Sequence, residues 1–290
     1  MNQFGHFNLT LLINNTMSVV KETNKFLRIL CLHGSEQNAE ILRTRLGSMP
    51  RKTKSIAKFV FIDAPHTLPL RPGDEVPMRT WYLRDEKGKL NEASLQTSLD
   101  YIRSLWDDVN TGNYDGIFGF SMGGTVAAQI ALLKTRATRA GTGATTYNSL
   151  QFLFVAGAPD RLTSFPGVAS NTSSSGTGSE SMDCSLHSLH VMGRSDNVVS
   201  MALMESLAGR FHEPVVLPHE QGHCLPSKSV YIEQYVAFLT HMHRLHCHRI
   251  GAASDGMAST ASKPKTVNKG YGAAGAANTS LVSNPNPTVT

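Results

Sequence analysis

Residues 117–124 read Ile-Phe-Gly-Phe-Ser-Met-Gly-Gly. The apolar residues at the start of this stretch predict a strand, and apolar residues at helical spacing follow it at Val126, Ile130 and Leu133. Glycine has no Cβ, so the glycines of the stretch permit a sharp turn from strand to helix. The stretch therefore predicts a strand-turn-helix unit that exposes Ser121 at the apex of the turn, as a candidate nucleophile.

Short apolar runs like this one recur along the chain. They are residues 29–32, 59–62, 117–120, 152–156, 189–192 and 215–217, and apolar residues step at helical spacing within 95–109, 199–207 and 232–239. Continuously apolar strands are typical of a parallel sheet that is covered on both faces. The alternation of strands and helices therefore predicts an α/β fold, with a mostly parallel, doubly wound sheet, helices on both faces and no separate large cap domain.

Composition divides the 290 residues into one domain and several flanking or inserted segments. We expect an N-terminal extension over 1–26, the folded domain over 27–250, and a disordered low-complexity tail over 251–290. Residues 163–187 form a Ser/Gly-rich insert that is also expected to be disordered or mobile. Residues 64–91 carry prolines and charges, and we expect them to form an excursion after the second strand that borders the pocket.

Charge and composition exclude several classes of function. The net charge is +5 without a basic block, so we expect no nucleic-acid partner. No run approaches the roughly 20 apolar residues of a membrane span. The N-terminal apolar run, 9–13, is short and has no basic residue before it, so we expect no secretion signal. The expected location is the cytoplasm, with the nucleus and the mitochondrion as alternatives.

Cofactor sites are not indicated either. The four cysteines have neither CxxC pairs nor zinc spacing, which favours reduced thiols and no metal. No GxGxxG motif follows the first strand, so a nicotinamide- or folate-dependent reductase is disfavoured. We expect a protein without metal or cofactor.

A serine hydroxyl is a weak nucleophile near neutral pH, so Ser121 needs a histidine base, a carboxylate that orients it, and oxyanion donors. In α/β-hydrolases the acid and then the histidine follow the serine in the chain, each in a loop after a strand. Asp196 follows the strand predicted at 189–192, and His223 follows the one at 215–217. We therefore predict a catalytic triad of Ser121, Asp196 and His223.

Two alternatives remain open at this point. Asp160 also follows a strand and could supply the acid, in which case Asp196 would only cap the next helix. His219 lies nearer to its strand than His223 and could serve as the base or fix the loop. Gly222 favours His223, because the loop has to turn in order to bring an imidazole back over the serine.

The oxyanion hole and the pocket are predicted from the neighbouring loops. The backbone N–H groups of Met122, directly after the nucleophile, and of Ser35, in the loop after the first strand, are the expected donors. His33 has two interpretations, as a pocket residue or as a brace for its own loop. The predicted pocket residues are His33, Gly34, Trp81, Tyr82 and Leu225, although aromatic residues after a strand are equally often plain core.

These blocks together resemble the FSH-type serine hydrolases, a group of small proteins with the α/β-hydrolase fold. The resemblance covers residues 27 to about 240 and rests on 29–34, 63–66, 79–82, 119–124, Gly193 with Asp196, and 222–223. It implies hydrolysis of carboxylic esters by Ser121, Asp196 and His223. The family usually has tryptophan where Tyr82 stands and an apolar residue where Ser35 stands, and these departures affect the shape of the pocket more than the chemistry.

The sequence thus predicts a serine hydrolase that cleaves carboxylic esters of a medium or long acyl chain through an acyl-enzyme. One alternative is an acyl thioesterase, because the same triad and oxyanion hole serve both bonds. Another is a catalytically silent protein of this fold that binds a ligand through residues 64–91. The expected partner is a small-molecule ester or thioester, and the oligomeric state is left open.

Overall fold

The computed structural model describes residues 25–73, 75–108, 112–141, 146–162 and 184–259. Six strands form one sheet: β1 (Leu27–Leu32), β2 (Ala57–Ile62), β5 (Gly116–Phe120), β6 (Phe152–Ala156), β7 (His187–Gly193) and β8 (Val215–His219). Two short strands, β3 (His66–Thr67) and β4 (Arg79–Thr80), form a separate antiparallel pair. The helices are α1 (Ala39–Arg45), α2 (Met49–Lys52), α3 (Glu92–Asp107), α4 (Met122–Arg139), α5 (Met201–Ala208) and α6 (Ser229–Ser259).

The six-stranded sheet has the order β2-β1-β5-β6-β7-β8, and all neighbours in it are parallel. Because β1 lies between β2 and β5, the chain reverses its direction of travel across the sheet at β1. The loops that follow β1 and β5 leave the carboxyl edge on either side of this switch point, where open α/β sheets bind ligands. The topology therefore brings Ser35 and Ser121 to the same edge of the sheet.

Alternate residues of each strand face opposite helical layers. Leu30 packs in one core with Leu99 of α3 and Val126 of α4. Ile29, on the other face of β1, packs in a second core with Tyr235 of α6. Burial on both faces explains the continuous apolar runs of the inner strands β1, β5, β6 and β7, whereas Val215 and Val216 of the edge strand β8 are exposed. The two cores confirm the doubly wound sheet with helices on both faces.

Two of the predicted segments, the N-terminal extension and the Ser/Gly-rich insert, border the described residues. The N-terminal extension was expected to end at residue 26, and β1 begins at Leu27, whereas residues 1–24 lie outside the described part. Most of the expected insert, 163–183, also lies outside it. At the end of that insert, Cys184 is buried and its N–H donates to the carbonyl oxygen of Arg210, so this end belongs to the folded domain.

The C-terminal helix is longer than expected. Helix α6 runs to Ser259, past the expected domain end at residue 250, and residues 260–290 lie outside the described part. The described residues up to Gly251 form one compact unit, and of the second unit, which begins at Ala252, the helical backbone through Ser259 is described. None of the described helices has the length and low polarity needed to cross a bilayer. The described residues contain no separate cap domain.

Candidate active site

Ser121 occupies a strained turn between β5 and α4. Its backbone has φ 52° and ψ −119°, a region that residues other than glycine rarely adopt. The turn is held on both sides, because the Ser121 N–H donates to the Ala156 carbonyl oxygen at 2.8 Å and the Gly124 N–H donates to the Ser121 carbonyl oxygen at 2.9 Å. Such strain costs about 1–3 kcal/mol and persists only where the surrounding structure enforces it.

The glycines around Ser121 are required by close backbone contacts. A Cβ on Gly119 would lie 2.5 Å from the Cα of Gly124, and one on Gly123 would lie 2.3 Å from the carbonyl oxygen of Leu32. The turn therefore packs against itself and against the end of β1. Any side chain at these positions would move Ser121 away from the loop that follows β1.

Asp196 and His223 form a short hydrogen bond in the loops after β7 and β8. Nδ1 of His223 lies 2.6 Å from Oδ2 of Asp196, and the Asp196 side chain is almost fully buried. Oδ1 of Asp196 accepts the N–H groups of Val198 and Val199, both at 2.8 Å. A helix cap and a partner of the histidine are alternative interpretations of Asp196 in the sequence. In the structure the N-cap of α5 is Ser200, and Asp196 bonds His223 with one oxygen and its own loop with the other.

The loops that carry Asp196 and His223 are fastened to each other. The Arg194 N–H donates to the carbonyl oxygen of His219 at 2.8 Å, and a Cβ on Gly193 would lie 2.6 Å from the carbonyl oxygen of Gly222. This close approach explains why glycine ends β7. It also fixes the spacing of the two loops, which holds the Asp196 carboxylate opposite the His223 imidazole.

The structure brings His223 next to the turn that carries Ser121. The imidazole ring is 4.9 Å, between centroids, from the ring of Phe120, the residue before Ser121. The side chain of His223 is 16% exposed, so the protein does not cover the ring completely. Ser121, Asp196 and His223 thus converge at the carboxyl edge of the sheet.

The two competing candidates, Asp160 and His219, make other contacts. Oδ2 of Asp160 accepts hydrogen bonds from the Ser206 hydroxyl at 2.7 Å and from Nε of Arg210 at 2.8 Å. This carboxylate therefore links the loop after β6 to α5 and to the turn that follows α5. Nδ1 of His219 accepts the Gln221 N–H at 3.2 Å, and burial lowers the pKa of His219. His219 therefore fixes the loop that leads to His223.

The two expected oxyanion donors lie at the same edge of the sheet. Met122 is the first residue of α4, where backbone N–H groups have no acceptor within the helix. Ser35 is exposed in a turn whose next residue, Glu36, has φ 55°. The Gly34 N–H donates to Oε1 of Gln37 at 3.3 Å, which holds this turn closed.

His33 braces the loop after β1. Its Nε2 accepts the Ala64 N–H at 3.0 Å, its Nδ1 faces the Gly34 carbonyl oxygen at 2.7 Å, and burial lowers its pKa. Nε1 of Trp81 donates to the His33 carbonyl oxygen at 2.8 Å. The His33 and Trp81 side chains are fully buried, so they support the predicted pocket from behind the loop rather than forming its exposed surface.

The segment after β4 reaches the residue next to the nucleophile. The Thr80 hydroxyl lies 3.0 Å from the Tyr82 carbonyl oxygen and 3.2 Å from the sulfur of Met122. Leu225, two residues after His223, is buried in the same core as Phe120. Tyr82 and Leu225 are themselves buried, as Trp81 is.

A family model described as serine hydrolase (FSH1) matches residues 22–235. The chain belongs to the FSH1 serine hydrolase family. It is 26% identical over 228 residues to the esterase CG5412 of Drosophila melanogaster, and the match covers 75% of each chain. It is 28% identical over 237 residues to the esterase OVCA2 of Xenopus tropicalis, covering 74% of this chain and 95% of that protein.

Comparison with solved structures supports the fold assigned to this FSH1 chain. The crystal structure of Zea mays acyl-protein thioesterase 2 aligns with a TM-score of 0.51 at 18% identity, covering 75% of this chain and 94% of that one. The small α/β-hydrolase fold is therefore shared. Together with the family match and the esterase relatives, it identifies an enzyme of the serine hydrolase class that acts on esters.

One residue of this FSH1 chain contacts the histidine without belonging to any motif. Gly157 directly follows β6 with φ 57°, and its N–H donates to the carbonyl oxygen of Val191 at 3.0 Å. A Cβ built on Gly157 would lie 3.0 Å from Cε1 and 3.1 Å from Nδ1 of His223. A glycine directly after a predicted strand was the only sequence signal, and it is too common to single out a site residue.

Proposed function

We propose that this FSH1-family enzyme hydrolyses carboxylic esters with Ser121 as the nucleophile, His223 as the base and Asp196 as its orienting acid. The observation that carries the proposal is the 2.6 Å hydrogen bond between Nδ1 of His223 and Oδ2 of Asp196. A carboxylate can only accept, so Nδ1 donates and Nε2 keeps a lone pair. That tautomer is the one that can take the proton of a serine hydroxyl.

The reaction follows from these roles. Oγ of Ser121 attacks the ester carbonyl while Nε2 of His223 takes its proton, and the N–H groups of Met122 and Ser35 donate to the resulting oxyanion. The C–O bond to the alcohol then breaks, and His223 returns the proton to the leaving oxygen. Water attacks the acyl-enzyme by the same steps and releases the carboxylic acid and free Ser121.

The proposed substrate has a medium or long acyl chain. Apolar groups near the nucleophile support this, since the partly buried Met122 packs against the core that contains Trp81 and Tyr82. A thioester is the alternative substrate, because the same steps expel a thiol in place of an alcohol. The strained backbone of Ser121 argues against a silent binding protein, since simple binding does not require it.

A fluorophosphonate probe tests the nucleophile. We expect labelling of the native chain at Ser121 alone, and no labelling of Ser121→Ala. The same variant should lose ester hydrolysis while its circular dichroism spectrum and melting temperature stay close to those of the native chain. Labelling at another serine, or turnover that survives in Ser121→Ala, would overturn the assignment. Values of kcat/KM for p-nitrophenyl esters and acyl thioesters of two to sixteen carbons would then rank bond type and chain length.

A further inference from the structure

The short strand β4 and the residue after it hold the turn that carries Ser35. The Arg79 N–H donates to the carbonyl oxygen of Gln37, two residues after Ser35, at 2.8 Å. Nε1 of Trp81 donates to the carbonyl oxygen of His33, two residues before Ser35, at 2.8 Å. Residues 79 and 81 therefore fasten this turn at both of its ends.

Thr80, between these two residues, contacts the segment that carries the other proposed oxyanion donor. Its hydroxyl lies 3.2 Å from the sulfur of Met122. The same hydroxyl lies 3.0 Å from the carbonyl oxygen of Tyr82, and Thr80 is buried. Three consecutive residues, 79–81, thus contact both segments from which the oxyanion donors are proposed to come.

The His33 carbonyl oxygen also lies against the turn that carries Ser121. A Cβ on Gly123 would lie 2.5 Å from this oxygen, and Gly123 directly follows Met122. The Trp81 indole therefore holds the atom at which the loop after β1 meets the nucleophile turn. His33 and Trp81 are both fully buried, so the hydrogen bond between them is shielded from solvent.

Helix α3 anchors the segment that follows β4. The Ser98 hydroxyl donates to the Trp81 carbonyl oxygen, and the Leu83 N–H donates to Oγ of Ser94 at 2.8 Å. Ser94 and Ser98 are both buried and lie one helical turn apart on α3. The residues that hold the Ser35 turn are therefore themselves attached to a core helix.

On the basis of the proposed function, we propose that Thr80 and Trp81 are positioning residues that set the separation between the Met122 and Ser35 N–H groups in the oxyanion hole. Such donors stabilise the transition state only when they are held at hydrogen-bond distance from the developing charge. Loss of a contact that fixes their separation should therefore slow the chemical steps and leave substrate binding almost unchanged.

Trp81→Phe removes the indole N–H and keeps an aromatic ring at this position. In the full-length chain we expect kcat for p-nitrophenyl butyrate to fall about tenfold, the effect of one lost hydrogen bond, with KM within about twofold of the native value. Trp106→Phe is the matched control, because the buried Trp106, near the end of α3, also donates through Nε1, to Oγ of Ser149 at 2.9 Å. This control should keep kcat within about twofold.

Combination with Ser35→Pro distinguishes positioning from general destabilisation. Ser35→Pro removes one of the two donors, so their separation no longer matters, and Trp81→Phe should lower kcat by less than about twofold in that background. A tenfold fall in both backgrounds, no fall in Trp81→Phe alone, or an equal fall in Trp106→Phe would overturn the inference while ester hydrolysis stands. Absence of both turnover and fluorophosphonate labelling in the native chain would overturn the proposed function, and the inference with it.

Thr80→Val provides the same test if Trp81→Phe does not fold. Valine has nearly the shape of threonine and lacks only the hydroxyl, so we expect kcat to fall about fivefold in the native background and less than about twofold with Ser35→Pro. Thr53→Val is the control, because Thr53 is also buried and its hydroxyl donates to the carbonyl oxygen of Met49 at 2.9 Å. Native kcat in Thr80→Val, or a fall of the same size in Thr53→Val, would contradict the positioning role.

Discussion

Asp196 holds His223 with one carboxylate oxygen and its own loop with the other. Oδ2 lies 2.6 Å from Nδ1 of His223, whereas Oδ1 accepts two backbone N–H groups at 2.8 Å, from Val198 and Val199. The carboxylate cannot rotate without losing bonds on both sides. The orientation of the imidazole is therefore set before any substrate arrives, which is what catalysis by positioning requires.

Asp196→Asn should separate these two roles. The amide keeps an oxygen for the Val198 and Val199 N–H groups but places an NH₂ group opposite His223, which favours the wrong imidazole tautomer. We expect kcat to fall roughly ten-thousandfold, as in serine proteases with the same change. The melting temperature should change little. Ester hydrolysis and thermal unfolding of the purified variant measure the two effects.

Two further variants serve as controls for Asp196→Asn. Asp196→Ala also removes the acceptor of the Val198 and Val199 N–H groups, so it should lose about 1 kcal/mol of unfolding free energy in addition to the activity. Asp160→Asn weakens the ion pair with Arg210, so it should reduce stability and leave kcat near the native value. A loss of activity in Asp160→Asn as large as that in Asp196→Asn would contradict the assignment of the acid.

Ser35→Pro tests the backbone donor in the loop after β1. The φ of 55° at Glu36 fits the third position of a type II turn, whose second position, here Ser35, accepts proline. Proline removes the N–H that we assign to the oxyanion hole. We expect kcat to fall about a hundredfold or more. Ser35→Ala keeps the N–H and should retain nearly native kcat, so equal kcat in the two variants would exclude this donor.

Gly157→Ala tests the packing beneath the imidazole. The new methyl group would meet Cε1 of His223 at 3.0 Å, whereas Gly141, which has a similar φ of 64°, has nothing within 4 Å of its Cβ position. Both alanine variants should lose about 1–2 kcal/mol of unfolding free energy, because a left-handed backbone disfavours Cβ. Only Gly157→Ala should also lower kcat, since it displaces His223. Comparing urea unfolding and kcat in the two variants isolates the steric effect, and equal kcat values would refute it.

The sequence predicted the parts of the site that have a local pattern. The inner strands β1, β5, β6 and β7 are readable because burial on both faces makes them continuously apolar, and the turn at Ser121 is readable because close contacts force its glycines. Asp196 and His223 followed from the order of loops after strands. The hydrogen bond between them depends on how two loops pack together, which no local pattern encodes.

Other features depended on tertiary contacts alone. The two-residue strands β3 and β4 are too short for a periodic signal and exist because they pair with each other. Gly157 matters through its distance to His223, which lies 66 positions away in the chain. His190 is a polar residue inside β7, where the sequence pattern predicted only an apolar strand.

His190 should make the stability of the fold depend on pH. It is buried against Phe211, with 5.1 Å between ring centroids, and burial lowers its pKa from 6.5 to about 3. Between these values the unfolded chain binds a proton that the folded chain does not, so the unfolding free energy falls as the pH falls, by up to about 1.4 kcal/mol per pH unit. Urea unfolding between pH 7 and pH 4.5 should show a shallower fall for His190→Leu than for the native chain. His212→Leu, which removes an exposed histidine, should follow the native curve, and parallel curves for all three chains would contradict a neutral, buried His190.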